Sequence, residues 1–484
     1  MATSIQLSTK KYLSFQGGGG LGMVYLGAIQ GLEKKANLVN RGALFDHRVH
    51  PTSRPFKGVS GASAGAITAY MLALGMSATD IEEEVNAPFI YDIGIGTPTT
   101  RIYINAFERF FEPVVKKLAQ PIINQFRHVK KERAVDDYYD NDTAANYKSL
   151  LTKAKYEPLI SALLKPLFDI DTNAMEVEYF IVRKVLRDDE SDLVRKELAG
   201  YLYGLIYNRG LFPGMAVRFY FEDLMKRFVI NKLSRDEQNR VGIGLNSTPL
   251  PADITFRQFF DLTGVDLVVT GSNLSTNQSR KFSVGHTPEF PVIDAVGLSM
   301  SIPLIFKPVC NTRPYVHYEE TDDYNNAYMG LWADGGILNN LPIHAFDYVE
   351  TKQLDYKGET GAFDVARPSF EPFVPFCDCI LGFTLASSRN AEFDFQREFR
   401  TVNPSVLGEM ISTKIYPTLL YPANSGQIRT INEQASTIDL DTGSISILDF
   451  AGPNIDALNG RKTHSLEKEV LIRDAEALVH QYVN

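Results

Sequence analysis

Hydrophobic positions along this chain recur with two periods, and each change of period marks an element. Residues 11 to 16, KYLSFQ, form a short apolar run that reads as a buried strand. From Gly22 to Glu33 the period turns helical, with Met23, Leu26, Ile29 and Leu32 on one face. A polar connection rich in His and Arg leads to a second short strand at Lys57 to Ser60, and an apolar helix runs from Gly65 to Leu74. Strand, glycine turn and helix thus occur twice within the first 75 residues, the rhythm of a parallel α/β sheet.

From about residue 90 to 250 the pattern becomes long and amphipathic, with acidic, tyrosine-rich patches such as DDYYDNDT. Strand patterns resume at Asp266 to Thr270 and continue at Lys281 to Val284, Gly330 to Ala333 and Ile380 to Leu385. A helical stretch from Ala391, the strand-like SISILDF and a final helix from about Ser465 to Val479 complete the chain. The domain limits that follow are an α/β unit at 10–90 and 255–390, a helical insertion at 91–254, and a C-terminal extension at 391–484. Inside the insertion, Phe107, Phe110, Phe111, Val114, Val115, Leu118 and Ile122 recur at helical spacing. Arg109, Lys116 and Lys117 lie among them, and Arg127, Lys130, Lys131 and Arg133 just beyond. Such a basic amphipathic run suits a lipid interface or a lid, or else packs into the insertion's own core; Pro113 and Pro121 interrupt it.

Composition narrows the class. With 44% hydrophobic and 22% charged residues the chain is globular, and a net charge of −9 argues against affinity built on phosphate neutralisation, so no nucleic-acid partner is expected. Three cysteines, Cys310, Cys377 and Cys379, are too few for a disulfide framework, and Cys377 and Cys379 read as reduced thiols. No apolar run approaches the ~20 residues of a spanning helix, and Met1 to Lys10 lacks the hydrophobic region of a secretory signal. The expected location is cytoplasmic, with any lipid met from the water side; delivery as a secreted effector stays open. DLDTG at 439–443 lacks the spacing of a calcium loop, and neither metal nor cofactor is expected.

Three motifs carry chemistry. Gly17, Gly19 and Gly22 satisfy G-x-G-x-x-G after the first strand, which suits a dinucleotide cradle, an oxyanion site or a plain tight turn. Gly61-Ala62-Ser63-Ala64-Gly65 is a G-x-S-x-G between strand and helix, where small neighbours allow a sharp turn that presents the serine at a helix N-terminus. Trp332-Ala333-Asp334-Gly335-Gly336 sets an aspartate at a strand end before two glycines. None of the eight histidines stands out as the serine's base.

Together, the glycine loop, the serine elbow and WADGGILNNLPI resemble the patatin-like phospholipase family. GVDLVVTGSNLST and PVIDAVGLSMSIPLIFKPV extend the likeness, which covers roughly residues 10 to 90 and 255 to 390. The resemblance implies a three-layer α/β/α fold with a mainly parallel sheet. It also implies a lipid acyl hydrolase of the phospholipase A or lysophospholipase type, working by a Ser-Asp dyad without histidine. Carried over, Ser63 is the nucleophile, Asp334 the base, and the backbone N–H groups of Gly17, Gly18, Gly19 and Gly20 the oxyanion hole. Gly22, Gly61, Gly65, Gly335 and Gly336 support those motifs. Leu21 stands where the family usually has a cation, which leaves head-group preference open. The implied partners are a phospholipid or lysophospholipid and a membrane surface; whether an activator of unidentified kind opens the insertion stays open. An acyltransferase with the same dyad and a dinucleotide-binding regulator are the alternatives.

Overall fold

Strand β1 (Tyr12–Phe15) shows why its sequence lacks a polar side: all four residues are buried, Leu13 and Phe15 in one apolar cluster and Tyr12 in another on the opposite face. The structure is a computed structural model that describes residues 4–38, 42–86, 89–92, 101–104, 210–212, 215–234, 236–237, 253–306, 308–311, 327–347, 377–386, 435–443, 453 and 465–484. After β1 the glycine loop enters a short 3₁₀ turn at Gly19–Val24, which runs into α1 (Tyr25–Lys35). The helix therefore opens as a tighter coil than the 3.6-residue period suggests, and Gly19 enters it at φ 57°.

The second unit repeats the plan with β2 (Gly58–Gly61), α2 (Ala64–Ala73) and α3 (Ala78–Asn86). Next come a hairpin of β3 (Phe89–Asp92) and β4 (Arg101–Ile104), then β5 (Gly210–Phe212) and α4 (Met215–Phe228). Helix α5 (Phe256–Thr263) starts on a Thr255/Gln258 capping box and stops at Gly264. Strands β6 (Asp266–Asn273) and β7 (Gln278–Phe282), helix α6 (Val292–Ser299), β8 (Leu304–Phe306), β9 (Val309–Asn311) and β10 (Gly330–Ala333) follow. Strands β11 (Ile380–Ala386) and β12 (Thr437–Asp441) and helix α7 (Leu466–Tyr482) end the described chain.

The main sheet runs β12-β11-β1-β2-β6-β10-β9, with β7 also on β6. Strands β12, β11, β1, β2 and β6 are parallel, whereas β7, β10 and β9 add antiparallel pairings. Helices α1, α2, α4, α6 and α7 supply the large cluster on one face; residues 341–346 cover the other, where Phe346 stacks on Tyr12 at 4.0 Å.

Several expectations meet a different outcome. Strand β7 ends at Phe282 and not Val284, because Ser283 Oγ accepts the N–H groups of Gly285 and His286 and turns the chain. The described parts of 91–254 include strands as well as helix, and α4 belongs to the main core: Phe221, Leu224 and Met225 are fully buried there, and Tyr70 donates to Phe221 O at 2.9 Å. Within 391–484, β12 is an edge strand of the main sheet and α7 packs along α1. SISILDF, the helical stretch from Ala391 and the Phe107 to Arg133 run lie outside the described residues. Cys377 and Cys379 are joined in a disulfide, not reduced; the turn through Asp378 brings their Cα atoms to 5.2 Å, within bonding range. Cys310 is free and exposed.

Candidate active site

The register of β6 brings two distant motifs together. Val269 pairs with Gly61 of β2 and with Phe282 of β7, so those strands lie on opposite edges of β6. Ser272 pairs with Ala333 of β10 and with Ser279 of β7, so β10 lies on the edge that β2 occupies. β2 runs parallel to β6 and ends opposite Val269, while β10 runs antiparallel and ends opposite Ser272. The two strands meet head to head over Thr270 and Gly271, and the residues just past their ends face one another. Those residues are Ser63 and Asp334.

Ser63 Oγ donates to Asp334 Oδ2 at 2.6 Å, and each residue is only 6% exposed. The serine sits at φ 51°, ψ −121°, a conformation that non-glycine residues hold only when their surroundings enforce it. Enforcement comes from both sides. The Ser63 N–H donates to Ser299 Oγ at 3.0 Å, and side chains at Gly61 or Gly65 would collide with Gly65 O or Phe15 O. Asp334 is held as firmly: Gly336 N–H donates to its Oδ1 at 2.7 Å, and its own N–H donates to Ser301 O at 3.0 Å. Gly335 lies flat against Thr270 O, where no Cβ fits. Burial pushes the Asp334 carboxyl up to about 7, against the opposing pull of the bonds from Ser63 and Gly336. Among the described residues no histidine bonds either group.

The glycine loop adjoins this pair, with one correction. Gly17 N–H donates to Asn340 O at 3.0 Å, so it is not a free donor. The N–H groups of Gly18, Gly19 and Gly20 have no acceptor among the described residues, and the first N–H groups of α2, those of Ala64 and Gly65, share that state. Gly22 packs closely on Ala64: a Cβ added there would stand 3.2 Å from Ala64 Cβ. An apolar cavity of about 90 Å³ opens beside Gly19, Gly20 and Ala64 and runs between α1 and α2 past Ile67 and Met71 to Tyr220.

Residues 13–347 match the sequence profile of the family described as Patatin-like phospholipase. The chain belongs to that family. This patatin-like chain is also 32% identical over 90 residues to the probable lipid hydrolase 463L of Invertebrate iridescent virus 6, a stretch that is 19% of this chain and 26% of that protein. Solved structures with some likeness include VipD from Legionella pneumophila, at TM-score 0.35 and 15% identity over 98% of this chain and 66% of that one. The ExoU-SpcU heterodimeric complex from the type III secretion system of Pseudomonas aeruginosa gives TM-score 0.29 and 14% identity over 99% of this chain and 52% of that one. The patatin-like chain thus spans about a quarter of the length of its curated relative.

Sequence reading left out three residues of this site. Ser299 and Ser301 hold the backbones of Ser63 and Asp334, and Asn340 holds that of Gly17. Ser299 and Ser301 lie at the end of the apolar run VIDAVGLSMSIP and Asn340 within ILNNLPI, and neither stretch names their partners.

Proposed function

We propose that the protein is a lipid acyl hydrolase of the phospholipase A or lysophospholipase type, acting through Ser63 and Asp334 and an acyl-serine intermediate. The observation that carries this reading is the 2.6 Å bond from a strained, buried serine to an aspartate whose carboxyl is raised to about 7. A base poised near neutrality takes a proton readily and returns it readily. Ser63 Oγ attacks the ester carbonyl carbon while Asp334 accepts the hydroxyl proton. The oxyanion that forms is met by N–H groups of Gly18, Gly19 and Gly20, each such donor contributing a few kcal/mol by mutational precedent. Collapse breaks the bond to the alcohol, which leaves with the proton from Asp334. Water then attacks the acyl-serine as Asp334 accepts its proton, and collapse frees the fatty acid while Asp334 returns that proton to Ser63 Oγ.

The family assignment supports this reading, as does the likeness to the viral protein, a probable lipid hydrolase. The apolar cavity from Gly19 to Tyr220 would take the first carbons of an acyl chain. Phospholipid or lysophospholipid is the proposed substrate, reached by peripheral contact with a membrane. No helix among the described residues is long and apolar enough to cross one.

The test is direct. Ser63→Ala and Asp334→Asn should each bring hydrolysis of a phospholipid and of a soluble ester to near background, and the double variant should be no worse, because the pair acts as a unit. Exchanging each of the eight histidines for Asn or Gln should leave turnover measurable. One histidine whose loss equals that of Ser63, in a variant that melts as the wild type, would overturn the dyad.

A further inference from the structure

We propose that Asn340 is a positioning residue, a clasp that sets the glycine loop at its working distance from Ser63 and Asp334. Asn340 lies six residues beyond Asp334 and is 2% exposed. It grips one residue of the glycine loop twice: Gly17 N–H donates to Asn340 O at 3.0 Å, and Asn340 Nδ2–H donates to Gly17 O at 3.2 Å. Two bonds to the two ends of a single residue fix both its position and its rotation. The peptides that follow, with the donors of Gly18 to Gly20, inherit that orientation.

The amide is wedged where three loops meet. A Cβ added to Gly17 would collide with Asn340 Oδ1 and would stand 2.9 Å from Ser63 Cβ. A Cβ added to Gly336 would stand 2.5 Å from the same Oδ1 and 2.9 Å from Asp334 Oδ1. Asn340 Oδ1 therefore lies within about 6 Å of both the nucleophile's Cβ and the carboxylate of the base. The loop's base is tied to the sheet at Gln16, whose N–H donates to Phe383 O and whose Oε1 accepts from Leu385 N–H. Among the described residues, the hydrogen bonds between Gly17 to Gly20 and the chain after Asp334 are the two to Asn340.

The side chain suits this place for chemical reasons. Nδ2 supplies a donor to a buried carbonyl, and without it Gly17 O would lose that partner. An aspartate keeps the shape but loses the donor, and it puts a second negative charge beside Asp334. Burial and the bonds from Ser63 and Gly336 set the titration of Asp334, with no charged residue contributing. A new carboxylate nearby would thus raise it further.

The clasp rests on the hydrolase reading above, and the experiment separates the two. Full-length wild type, Asn340→Ala and Asn340→Asp are compared by kcat and KM for a p-nitrophenyl ester across pH, by amide exchange of the peptide spanning residues 16–22, and by thermal melt. The expected result for Asn340→Ala is at least about a ten-fold fall in kcat with KM within about two-fold, and faster exchange in that peptide. For Asn340→Asp, the acidic limb of the pH profile moves upward. Variants that keep the wild-type kcat, acidic limb and loop exchange overturn the clasp, as does a loss explained wholly by a lowered melt. Should Asn340→Ala not fold, the near-isosteric Asn340→Asp decides by the same readouts. A wild type that hydrolyses no ester and takes up no fluorophosphonate on Ser63 sinks the hydrolase reading, and exchange in the loop peptide still decides the clasp.

Discussion

At the scale of single residues, burying the Asp334 carboxyl makes stability depend on pH. Asp334 ionises near the ordinary carboxylate value of 3.8 when unfolded and at about 7 when folded. The folded state therefore binds more protons than the unfolded one between those values, and stability falls as pH rises through that window. Below about 4 the penalty is absent, and above about 7 it is complete. Glu33, raised to about 7 mainly by burial, acts in the same direction but is common to wild type and variant. Asp334→Asn should accordingly melt several degrees above the wild type at pH 8 and lose that advantage towards pH 4, while being inactive throughout. A variant that melts below wild type at pH 8 would mean that the bonds from Ser63 and Gly336 outweigh burial.

At the scale of elements, close packing of α7 on α1 sets what each glycine tolerates. A Cβ on Gly27 would collide with Ile472 O, and one on Gly31 would stand 2.8 Å from Val479 Cβ, so the two helices touch backbone to backbone along that line. Gly27→Ala should force them apart and cost roughly 1–3 kcal/mol or more, read as a lower denaturation midpoint. Gly297, inside α6, has nothing within 4 Å of the corresponding point. Gly297→Ala should be neutral or stabilise by up to about 1 kcal/mol, since alanine loses less backbone entropy in a helix. Equal destabilisation by both would argue against this packing.

For the molecule as a whole, the proposed function requires the buried Ser63–Asp334 pair to be reached by a lipid ester. The aromatic and basic run from Phe107 to Arg133 is the sequence's candidate for membrane contact. Phe110→Ser with Phe111→Ser should lower hydrolysis of vesicle phospholipid while sparing a short soluble ester. Equal loss on both substrates would assign the run to packing and retire the membrane reading. The limits drawn at 254/255 and 390/391 also change meaning at this scale. Residues of 220–230 and strand 437–441, outside those limits, pack into the cluster and sheet that carry the site.

The local pattern alone determined the strands β1, β2, β6, β10 and β11, the serine elbow and the aspartate turn, because each is a short-range matter of period and of residues small enough for a sharp turn. Ser63 and Asp334 were legible for that reason. Tertiary structure decided their meeting, since two strands ending head to head on one edge of β6 is a fact of pairing register, invisible to any local window. It also decided which glycine N–H groups are spent. Gly17 looks like its three neighbours in the sequence, and only a partner 323 residues away takes its donor and its carbonyl. Ser299, Ser301 and Asn340 went unread for the same reason: a buried hydrogen bond is a property of two positions, and sequence shows one at a time.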